Sequence, residues 1–260
     1  MTDGDGGSRS DGRGAASTQS TQTEEDGFGR VMCLACPARD SFLCSGFEDH
    51  ELRHLAARAT RFTLPKGKTL ILEGDPATDV YNVIEGEVML SRVAMDGRRQ
   101  ILGFLGQGDF IGLTLAPEYQ FSAEALTDAR LCRFDRRSID ELMERFPAVA
   151  RQVQRMGAAM VDHLLEMIFA LGRKTAEERV ASFLYYEAQR QGCCLDPAKE
   201  LKLAMTRSDM ADYLGLTLET VSRIVSRLRK DGVVESCGQG RLRIRDLDAL
   251  RQRADIATAA

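Results

Sequence analysis

TRSDMADYLGLTLETVSRIVSRLRK, the stretch from Thr206 to Lys230, predicts two short amphipathic helices and decides the fold of the C-terminal part of the chain. Thr206 lies three residues before Asp209, a spacing that predicts a capping box at the start of the first helix. Gly215 lies in the turn between the helices, and Thr217 is the expected N-cap of the second. Apolar residues recur at helical spacing, so one side of each helix can face a shared core.

Two helices joined by a glycine-containing turn predict a helix-turn-helix whose second helix enters a DNA major groove. The competing interpretation is a helical hairpin with a solvated face. The following residues favour DNA binding, because 233–236 and 241–245 predict two strands of a wing that lies along the phosphate backbone. Between 220 and 245, seven positive residues and two negative ones give a local net charge of +5, whereas the whole chain has a formal net charge of −4. This basic surface is typical of nucleic-acid binding.

The composition is that of a globular protein with room for two domains: 260 residues, 43% hydrophobic and 28% charged. No apolar run approaches the length of a membrane span, and no signal-peptide core is present, so we expect a cytoplasmic protein without a membrane partner. Residues 1–29 are rich in Gly, Ser, Thr, Asp and Glu, which predicts a disordered tail.

Residues 60–136 predict β structure, because short β-rich runs alternate with glycine-containing turns. Four runs are long enough to serve as strands: 80–84, 88–93, 100–104 and 129–134. A small barrel or jelly roll is the expected outcome. Gly106 and Gly108 lack the remainder of a nucleotide-binding fingerprint and its βαβ context, so they predict a turn.

The period then changes to that of a helix, from about Ser138 to Leu171, with an interruption near Phe146-Pro147. Apolar residues at every third or fourth position predict a coiled-coil-like seam. The seam consists of Val153, Gly157, Met160, Leu164, Met167 or Ile168, and Leu171. Packing against the chain's own barrel is the competing interpretation. A long helix between two domains has little else to bury such a stripe, so the seam indicates a homodimer.

Three of the seven cysteines, Cys33, Cys36 and Cys44, lie close together in a loop-like segment. With Cys132 from a predicted strand, they supply four thiolates for one metal ion or iron–sulfur cluster. Zinc would use the same four thiolates, and spacing does not exclude it. A thioredoxin-type CxxC lacks its βαβ unit, and isolated buried cysteines are a further possibility. No disulfide framework is expected. The remaining cysteines are expected to be packing or surface residues: Cys193, Cys194 and Cys237.

From about Val31 to Leu250 the chain resembles the CRP/FNR superfamily of bacterial transcription regulators and, within it, the FNR-type oxygen sensors. Barrel, long helix and winged helix-turn-helix follow in that family's order. The segment LGLTLETVSR, which ends at Arg223, resembles the family's recognition region, and ALTDARLC, which ends at Cys132, matches its central cysteine. KTAEER, from Lys174 to Arg179, resembles its link to the DNA-binding domain.

The resemblance implies an α+β fold with a cyclic-nucleotide-binding-like β-roll or jelly roll, a long dimerisation helix and a C-terminal winged helix-turn-helix. The expected divisions are a disordered tail (1–29), a cysteine-rich cluster-binding segment (30–46), a β-roll sensor domain (47–137), a dimerisation helix region (138–172), a DNA-binding domain (173–250) and a C-terminal tail (251–260).

The resemblance also implies a function: a homodimeric, non-enzymatic activator of anaerobic or microaerobic genes, inactivated when oxygen degrades a [4Fe–4S] cluster. The implied cluster ligands are Cys33, Cys36, Cys44 and Cys132, although the seven residues between Cys36 and Cys44 exceed the gap in the best-known members. The implied DNA is an inverted repeat of TTGAT, with RNA polymerase as a further partner. Base contacts would come from Glu219, Ser222 and Arg223, and phosphate contacts from Thr206, Arg207 and Thr220.

Cyclic-nucleotide binding is not expected. In cyclic-AMP-responsive relatives a Gly-Glu pair and an Arg-Ser-Ala hold the ribose and phosphate, whereas this chain has Gly112-Leu113 and Phe121-Ser122-Ala123. Without the arginine, the phosphate loses its charge-assisted hydrogen bonds.

Two competing functional hypotheses use different chemistry. The first is a regulator of the same fold that carries haem, for which the available histidines are His50, His54 and His163. The second is a thiol redox enzyme built on the pair Cys33 and Cys36. A haem regulator would leave the four-cysteine arrangement without a purpose, and the redox enzyme lacks the βαβ unit that surrounds a thioredoxin-type site.

Overall fold

The computed structural model describes Cys33 and residues 36–39, Phe42–Ser45, 47–196 and 198–256. The expected disordered tail, 1–29, lies outside the described residues. An N-terminal β-roll and a C-terminal winged helical domain are connected by a helix of 27 residues. The α+β class and the order of elements predicted from the sequence are confirmed. No helix in the described ranges is long and apolar enough to cross a membrane.

Two four-stranded antiparallel sheets form the β-roll, in the orders β1-β8-β3-β6 and β2-β7-β4-β5. The strands are β1 (Ala59–Leu64), β2 (Thr69–Ile71), β3 (Asp79–Glu85), β4 (Val88–Val93), β5 (Arg99–Leu105), β6 (Phe110–Ile111), β7 (Ser122–Ala125) and β8 (Ala129–Asp135). The four predicted runs coincide with β3, β4, β5 and β8. Between the sheets lies a core that includes Leu64, Val83 and Leu131.

The turn between β3 and β4 requires glycine. Gly86 has a φ of +91°, and a Cβ at this position would lie 2.5 Å from the carbonyl oxygen of Asp128. Both the left-handed backbone and the close approach of the 127–129 turn exclude a side chain. This turn separates the runs 80–84 and 88–93, as expected for β-rich runs that alternate with glycine-containing turns.

Four helices flank the β-roll: α1 (Phe42–Ser45), α2 (Asp49–Ala56), α3 (Arg136–Arg145) and α4 (Pro147–Arg173). The predicted interruption near Phe146 separates α3 from α4, because Phe146 is extended and Pro147 opens the next helix, where its missing N–H has no cost. A core beneath these helices contains Phe47, Leu142 and Val149.

The C-terminal domain consists of α5 (Ala176–Arg190), β9 (Leu201–Lys202), α6 (Arg207–Leu214), α7 (Leu218–Lys230), β10 (Val234–Gly238), β11 (Arg241–Ile244) and α8 (Leu247–Arg253). The wing has a third strand, since β9 pairs with β11; two residues are too few to show a strand period in the sequence. The fold also extends beyond the expected boundary at 250. Ala254 is fully buried, and its carbonyl accepts a 2.8 Å hydrogen bond from Lys174 Nζ.

A single apolar core crosses from the β-roll into the C-terminal domain. Met89, Ile101 and Phe104 from β4 and β5 belong to the same buried cluster as the interior of the helix-turn-helix. The Phe104 ring lies 5.3 Å from the Tyr213 ring, centroid to centroid. The C-terminal domain is therefore packed directly on the β-roll.

Candidate nucleic-acid interface and cysteine site

The helix-turn-helix is built by local hydrogen bonds. Thr206 Oγ1 accepts from the backbone N–H of Asp209 at 3.1 Å, while the Asp209 carboxylate accepts from the backbone N–H of Thr206 at 2.9 Å. Gly215 ends α6 with a left-handed φ of +62°. Thr217 Oγ1 then accepts from the Thr220 N–H at 3.2 Å and begins α7. The predicted caps and turn are confirmed.

Helix α7 has one apolar side and one side available to DNA. Val221, Ile224, Val225 and Leu228 are buried. On the other side Glu219 and Arg223 are exposed and Ser222 is half-buried. Among the described residues, none of the predicted base-contacting side chains has a hydrogen-bond or ion-pair partner. Their donors and acceptors are thus available for base edges.

The positive charge on this surface is less available than the sequence count indicated. Arg227 pairs with Glu177 at 2.8 Å, and Arg245 pairs with Glu235 at 2.6 Å. Glu200 pairs with the remaining wing arginines, Arg241 and Arg243. In the described ranges, no acidic partner is found for Arg223, Arg229 and Lys230 on α7, for Arg207 on α6 or for Lys202 on β9. The unneutralised charge therefore lies mainly on the two helices rather than on the wing arginines.

A groove of about 230 Å³ runs between α7 and the wing. It is lined by Arg207, Ser222, Val225, Ser226, Arg229, Ser236 and Leu242. Two guanidinium groups and three hydroxyls give this groove the chemistry of an anion site. Burial lowers the pKa of Arg207, whose Nη1 donates to Met210 Sδ at 3.2 Å. The predicted phosphate contact at Arg207 lies in this groove; Thr206 and Thr220 lie at the first turns of α6 and α7.

The candidate cysteine site lies on the outer face of the β1-β8-β3 sheet. Cys132 on β8 is buried and pairs in register with Arg61 on β1 and Asn82 on β3. Arg61 Nη2 donates to Cys33 Sγ at 3.5 Å, and Asn82 Nδ2 donates to Cys44 Sγ at 3.7 Å. The two residues that flank Cys132 in the sheet therefore reach the thiols of the N-terminal segment.

Two of the thiols, those of Cys44 and Cys132, have raised pKa values. Burial raises the pKa of Cys44 to about 12, with further increases from Cys33, Cys132 and Cys36. Burial also raises the pKa of Cys132 to about 11, although the Arg61 guanidinium opposes the increase. The Cys44 and Cys132 thiols therefore stay protonated until a cation binds and displaces their protons.

The thiols do not form a ready coordination sphere. In the described ranges, no group of three or more His, Cys, Asp or Glu side chains could hold a metal ion as it stands. One further hydrogen bond joins the segment to the β-roll, from Gln107 Nε2 to the Pro37 carbonyl at 2.6 Å. Within the segment, Arg39 Nη1 donates to the Cys44 carbonyl at 2.7 Å. These two contacts do not involve sulfur.

The cysteine segment also touches the long helix. Helix α1, which carries Cys44, lies against α4. Cys36 and Cys44 pack on a core that also includes Val149, Val153 and Met156 of α4. Because these cysteines touch the first turns of α4, any movement of the cysteines would change the packing of that end of the helix.

Different residues of the predicted seam on α4 have different neighbours. Val153 packs on the N-terminal core, Met167 packs on the C-terminal core, and Leu171 lies over the turn at Gly215. The rest of the seam is uncovered. Together with neighbours that the periodicity did not select, it forms what we call the α4 face: Gly157, Met160, Val161, Leu164, Leu165, Ile168 and Phe169. Its six large side chains expose 47% to 67% of their surface, a contiguous apolar area typical of an interface.

Arg179 connects the end of α4 to the helix-turn-helix. Its guanidinium donates to the carbonyls of Leu171 at 2.7 Å, Lys174 at 3.0 Å and Leu214 at 3.1 Å. Leu171 and Lys174 lie at the C-terminal end of α4, and Leu214 ends α6. One side chain thus satisfies carbonyls from both helices.

The histidines considered as haem ligands lie on two different helices, and Ser122, considered for cyclic nucleotide, lies on a strand of the β-roll. His50 and His54 lie on α2 against the Phe146 ring, whereas His163 is on α4. Ser122 Oγ accepts from the Glu73 N–H at 3.0 Å, and the Glu73 carboxylate pairs with Arg92 at 2.8 Å.

Sequence reasoning missed several of these residues. Arg61 and Asn82 reach the thiols because of strand pairing, which the sequence does not display. Alternation within β1 and β3 would have placed both on one face, but their alignment with Cys132 depends on the register. The groove residues Ser226 and Arg229 were not among the predicted DNA contacts, although their spacing from Ser222 places them on the same side of α7.

Known proteins share both domains of this chain. A Crp-like helix-turn-helix domain matches residues 178–253, and a cyclic nucleotide-binding domain matches residues 61–146. The transcriptional activator protein FnrL of Cereibacter sphaeroides is 36% identical over 231 residues, which cover 85% of this chain and 91% of the relative. The chain belongs to the CRP/FNR superfamily of transcription regulators.

Other CRP/FNR proteins agree with this placement. The fumarate and nitrate reduction regulatory protein of Escherichia coli is 32% identical, with 86% of this chain and 90% of the relative covered. The nitrogen fixation regulation protein FixK of Bradyrhizobium diazoefficiens is 35% identical, with 78% and 86% covered. The solved structure of FixK2 from Bradyrhizobium japonicum is 38% identical, has a TM-score of 0.71, and covers 78% of this chain and 99% of its own. The helix-turn-helix is accordingly a DNA-binding module, and these relatives are regulators rather than enzymes.

Proposed function

We propose that this CRP/FNR protein is an oxygen-responsive activator of anaerobic or microaerobic genes that binds DNA as a homodimer when it holds a [4Fe–4S] cluster. The observation that carries the proposal is the position of three cysteine thiols, in a segment that lies against α4, on the same sheet face as the fourth, Cys132 of β8. The names of the relatives, which concern nitrogen fixation and fumarate and nitrate reduction, agree with a role in low-oxygen metabolism.

The residues present fit this group. Cys33, Cys36, Cys44 and Cys132 supply four thiolates, the ligand set that such clusters take. Arg61 and Asn82 supply N–H donors to the sulfurs, and Asn82 Oδ1 is a buried oxygen without a hydrogen-bond partner among the described residues. When bound, a [4Fe–4S] cluster supplies an iron–sulfur centre that dioxygen oxidises.

The chain's own contacts then provide the response. Ligation by all four thiolates would fix α1 on the sheet and against the first turns of α4. Without ligation, the segment is held by the Gln107 hydrogen bond and by the packing of Cys36 and Cys44 on the N-terminal core. Helix α1 would therefore have two states, fixed against α4 when the thiolates are ligated and loosened when they are not. The first state would favour pairing of α4 with the α4 of a second chain, and the other would disfavour it.

The homodimer would form through the α4 face. Apolar side chains that are half exposed in one chain gain burial when a second α4 covers them. A two-fold axis along this helix presents two copies of α7, as two half-sites one helical turn apart require.

We propose an inverted repeat of TTGAT as the DNA site. Arg223 would donate to guanine O6 and N7, Glu219 would accept from a base amino group, and Ser222 would contact a neighbouring base. Arg207, Thr206 and Thr220 would hold phosphates and set the register. RNA polymerase is a further proposed partner. With Leu113 and Phe121 where ribose and phosphate contacts are needed, cyclic nucleotide is not a proposed ligand.

Purification without air tests the proposal. We expect a brown protein with about four iron and four sulfide per chain that binds the inverted repeat and loses both colour and DNA binding in air. Cys44→Ser and Cys132→Ser should each lower the iron content and the DNA affinity. Cys237→Ser, on the wing and away from the other thiols, is the matched control and should keep its iron.

Three results would contradict the proposal. A colourless protein with stoichiometric zinc, and with DNA binding unchanged in air, would assign the four thiolates to a structural zinc ion. An absorption spectrum with haem bands would assign sensing to the histidines instead. Insulin-reductase activity that depends on Cys33 and Cys36 would support the thiol redox enzyme.

A further inference from the structure

Arg99 makes a polar contact between the two domains. This residue lies on β5 of the β-roll, and its guanidinium reaches two carboxylates of α6. Nη2 donates to Asp209 Oδ1 at 2.5 Å, and Nε donates to Asp212 Oδ2 at 2.9 Å. The Asp209 side chain is 11% exposed, whereas the Arg99 and Asp212 side chains are 34% and 30% exposed, so the two ion pairs are partly shielded from water. Partial shielding reduces the screening of these pairs by water and salt relative to fully exposed ones.

Asp209 also has a structural duty within the helix-turn-helix. Its carboxylate accepts from the backbone N–H and the hydroxyl of Thr206, which completes the capping box at the start of α6. The β-roll therefore binds the residue that fixes where the first DNA-binding helix begins. Asp212 lies one turn further along the same helix, so Arg99 forms ion pairs with α6 at two positions.

Two neighbours on β5 strengthen the same contact. Gln100 Nε2 donates to the Tyr213 carbonyl at 3.2 Å, and the Phe104 ring packs against Tyr213. This set does not cover the side that reads DNA, because Glu219 and Arg223 remain exposed. The contact consequently fixes the orientation of the helix-turn-helix without blocking it.

We infer that Arg99 is a positioning residue for DNA recognition, whose ion pairs with Asp209 and Asp212 hold the helix-turn-helix at a fixed angle to the β-roll. Two half-sites in one duplex have a fixed separation, so both recognition helices of a dimer must be oriented together. A domain that is free to rotate meets this geometry only part of the time, and the apparent affinity falls by that fraction. The inference rests on the proposed dimeric recognition of two half-sites.

The test compares DNA with two half-sites and DNA with one. Duplexes are first selected from a random pool by the full-length wild-type protein, purified without air, so that the test does not depend on the proposed TTGAT sequence. One half-site is then scrambled, and affinities for both duplexes are measured by fluorescence anisotropy. Arg99→Ala should bind the two-site duplex about fivefold more weakly, while its affinity for the single half-site stays within about twofold of wild type.

Matched variants distinguish the specific ion pairs of Arg99 from the general effect of removing a positive charge. Arg98→Ala removes an adjacent arginine that pairs with Asp96 in its own hairpin, and it should leave both affinities unchanged. Arg99→Asp combined with Asp212→Arg re-forms one ion pair and should recover part of the loss. Asp212→Asn alone should lower two-site binding without disturbing the capping box, which depends on Asp209.

The outcomes are distinct. Wild-type affinity of Arg99→Ala for the two-site duplex would overturn the inference, and so would an equal loss on the single half-site, which would mean that Arg99 supports the helix-turn-helix fold itself. An equal loss in Arg98→Ala would assign the effect to general electrostatics and would also overturn it. Selective loss in a protein that proves to hold no iron–sulfur cluster would support the inference while the proposed cofactor fails. Wild-type protein that selects only single half-sites would refute both the dimer and the positioning role.

Discussion

Replacing Leu164 by Asp should dissociate the proposed homodimer, because Leu164 lies in the middle of the α4 face. Its surface is 49% exposed in one chain, so about half of its area remains to be buried by a partner. Full burial of a leucine contributes roughly 1.5–3 kcal/mol, which leaves about 1 kcal/mol per chain for this residue. Two carboxylates near a two-fold axis add a repulsion and desolvation cost on the order of 2 kcal/mol. The variant dimer should be weaker by roughly 4 kcal/mol, or about a thousandfold.

Sedimentation equilibrium of the metal-free protein at micromolar concentration measures this effect. The six large side chains of the α4 face are apolar, so we expect the wild type to keep a measurable dimer population without a cluster. Leu164→Asp should be monomeric. Leu195→Asp is the control, because Leu195 is 92% exposed on a turn of the C-terminal domain and away from α4.

Either of two results would refute this reasoning. If Leu164→Asp dimerised like the wild type, the α4 face would not be the interface. If the metal-free wild type were wholly monomeric, the apolar face alone would be insufficient, and the strength of the dimer would be set by the cysteine segment. The second result would leave the family assignment unaffected.

Three further substitutions test other contacts. Arg223→Ala should cost about 1–3 kcal/mol at one guanine and relax base preference there, whereas unchanged discrimination in a base-substitution series would exclude the base contact. Arg179→Ala should lower the free energy of unfolding by about 3 kcal/mol in urea titration, because three carbonyls lose their donor; a loss below about 1 kcal/mol would contradict this. Gly215→Ala should destabilise by about 1–2 kcal/mol in thermal unfolding, since the φ of +62° disfavours a Cβ.

The helix-turn-helix was predictable because its determinants are local. Thr206 and Asp209 are three residues apart, and Gly215 and Thr217 border the turn that they create. Each signal lies within one turn of the structure that it specifies, so no long-range pairing has to be known. The boundaries of α6 and α7 follow from the same residues.

Contacts between distant segments could not be predicted in this way. Arg99 and Asp209 are 110 residues apart, and nothing in either local sequence shows that they meet. The thiol donors Arg61 and Asn82 depend on strand register, where a shift of one residue would turn both away from Cys132. Charge counting overestimated the available charge of the wing, because Glu200 comes from a segment outside the counted range.

The predicted seam on α4 shows a further limit of prediction from the sequence. Helical periodicity identified the apolar stripe of α4 but could not say what covers each part. Val153 and Met167 are used by the chain's own cores, whereas Leu165 and Phe169, which were not selected, lie on the uncovered face. Periodicity reports which residues avoid water, and the identity of their partners depends on how the domains pack.

Helix α4 is placed to connect the cysteines to DNA recognition, because its two ends have different neighbours. Its first turns pack against α1 and the cysteine segment, and its last turn is joined by Arg179 to the end of α6. Twenty-seven residues of α-helix span about 40 Å and act as one rigid body. A change in the packing of α1 can therefore rotate or shift α4 as a whole, and this movement would reach the helix-turn-helix at the other end of α4. The exposed middle of the same helix is the α4 face, so in the proposed homodimer the pairing of two chains and the orientation of their recognition helices would depend on one element.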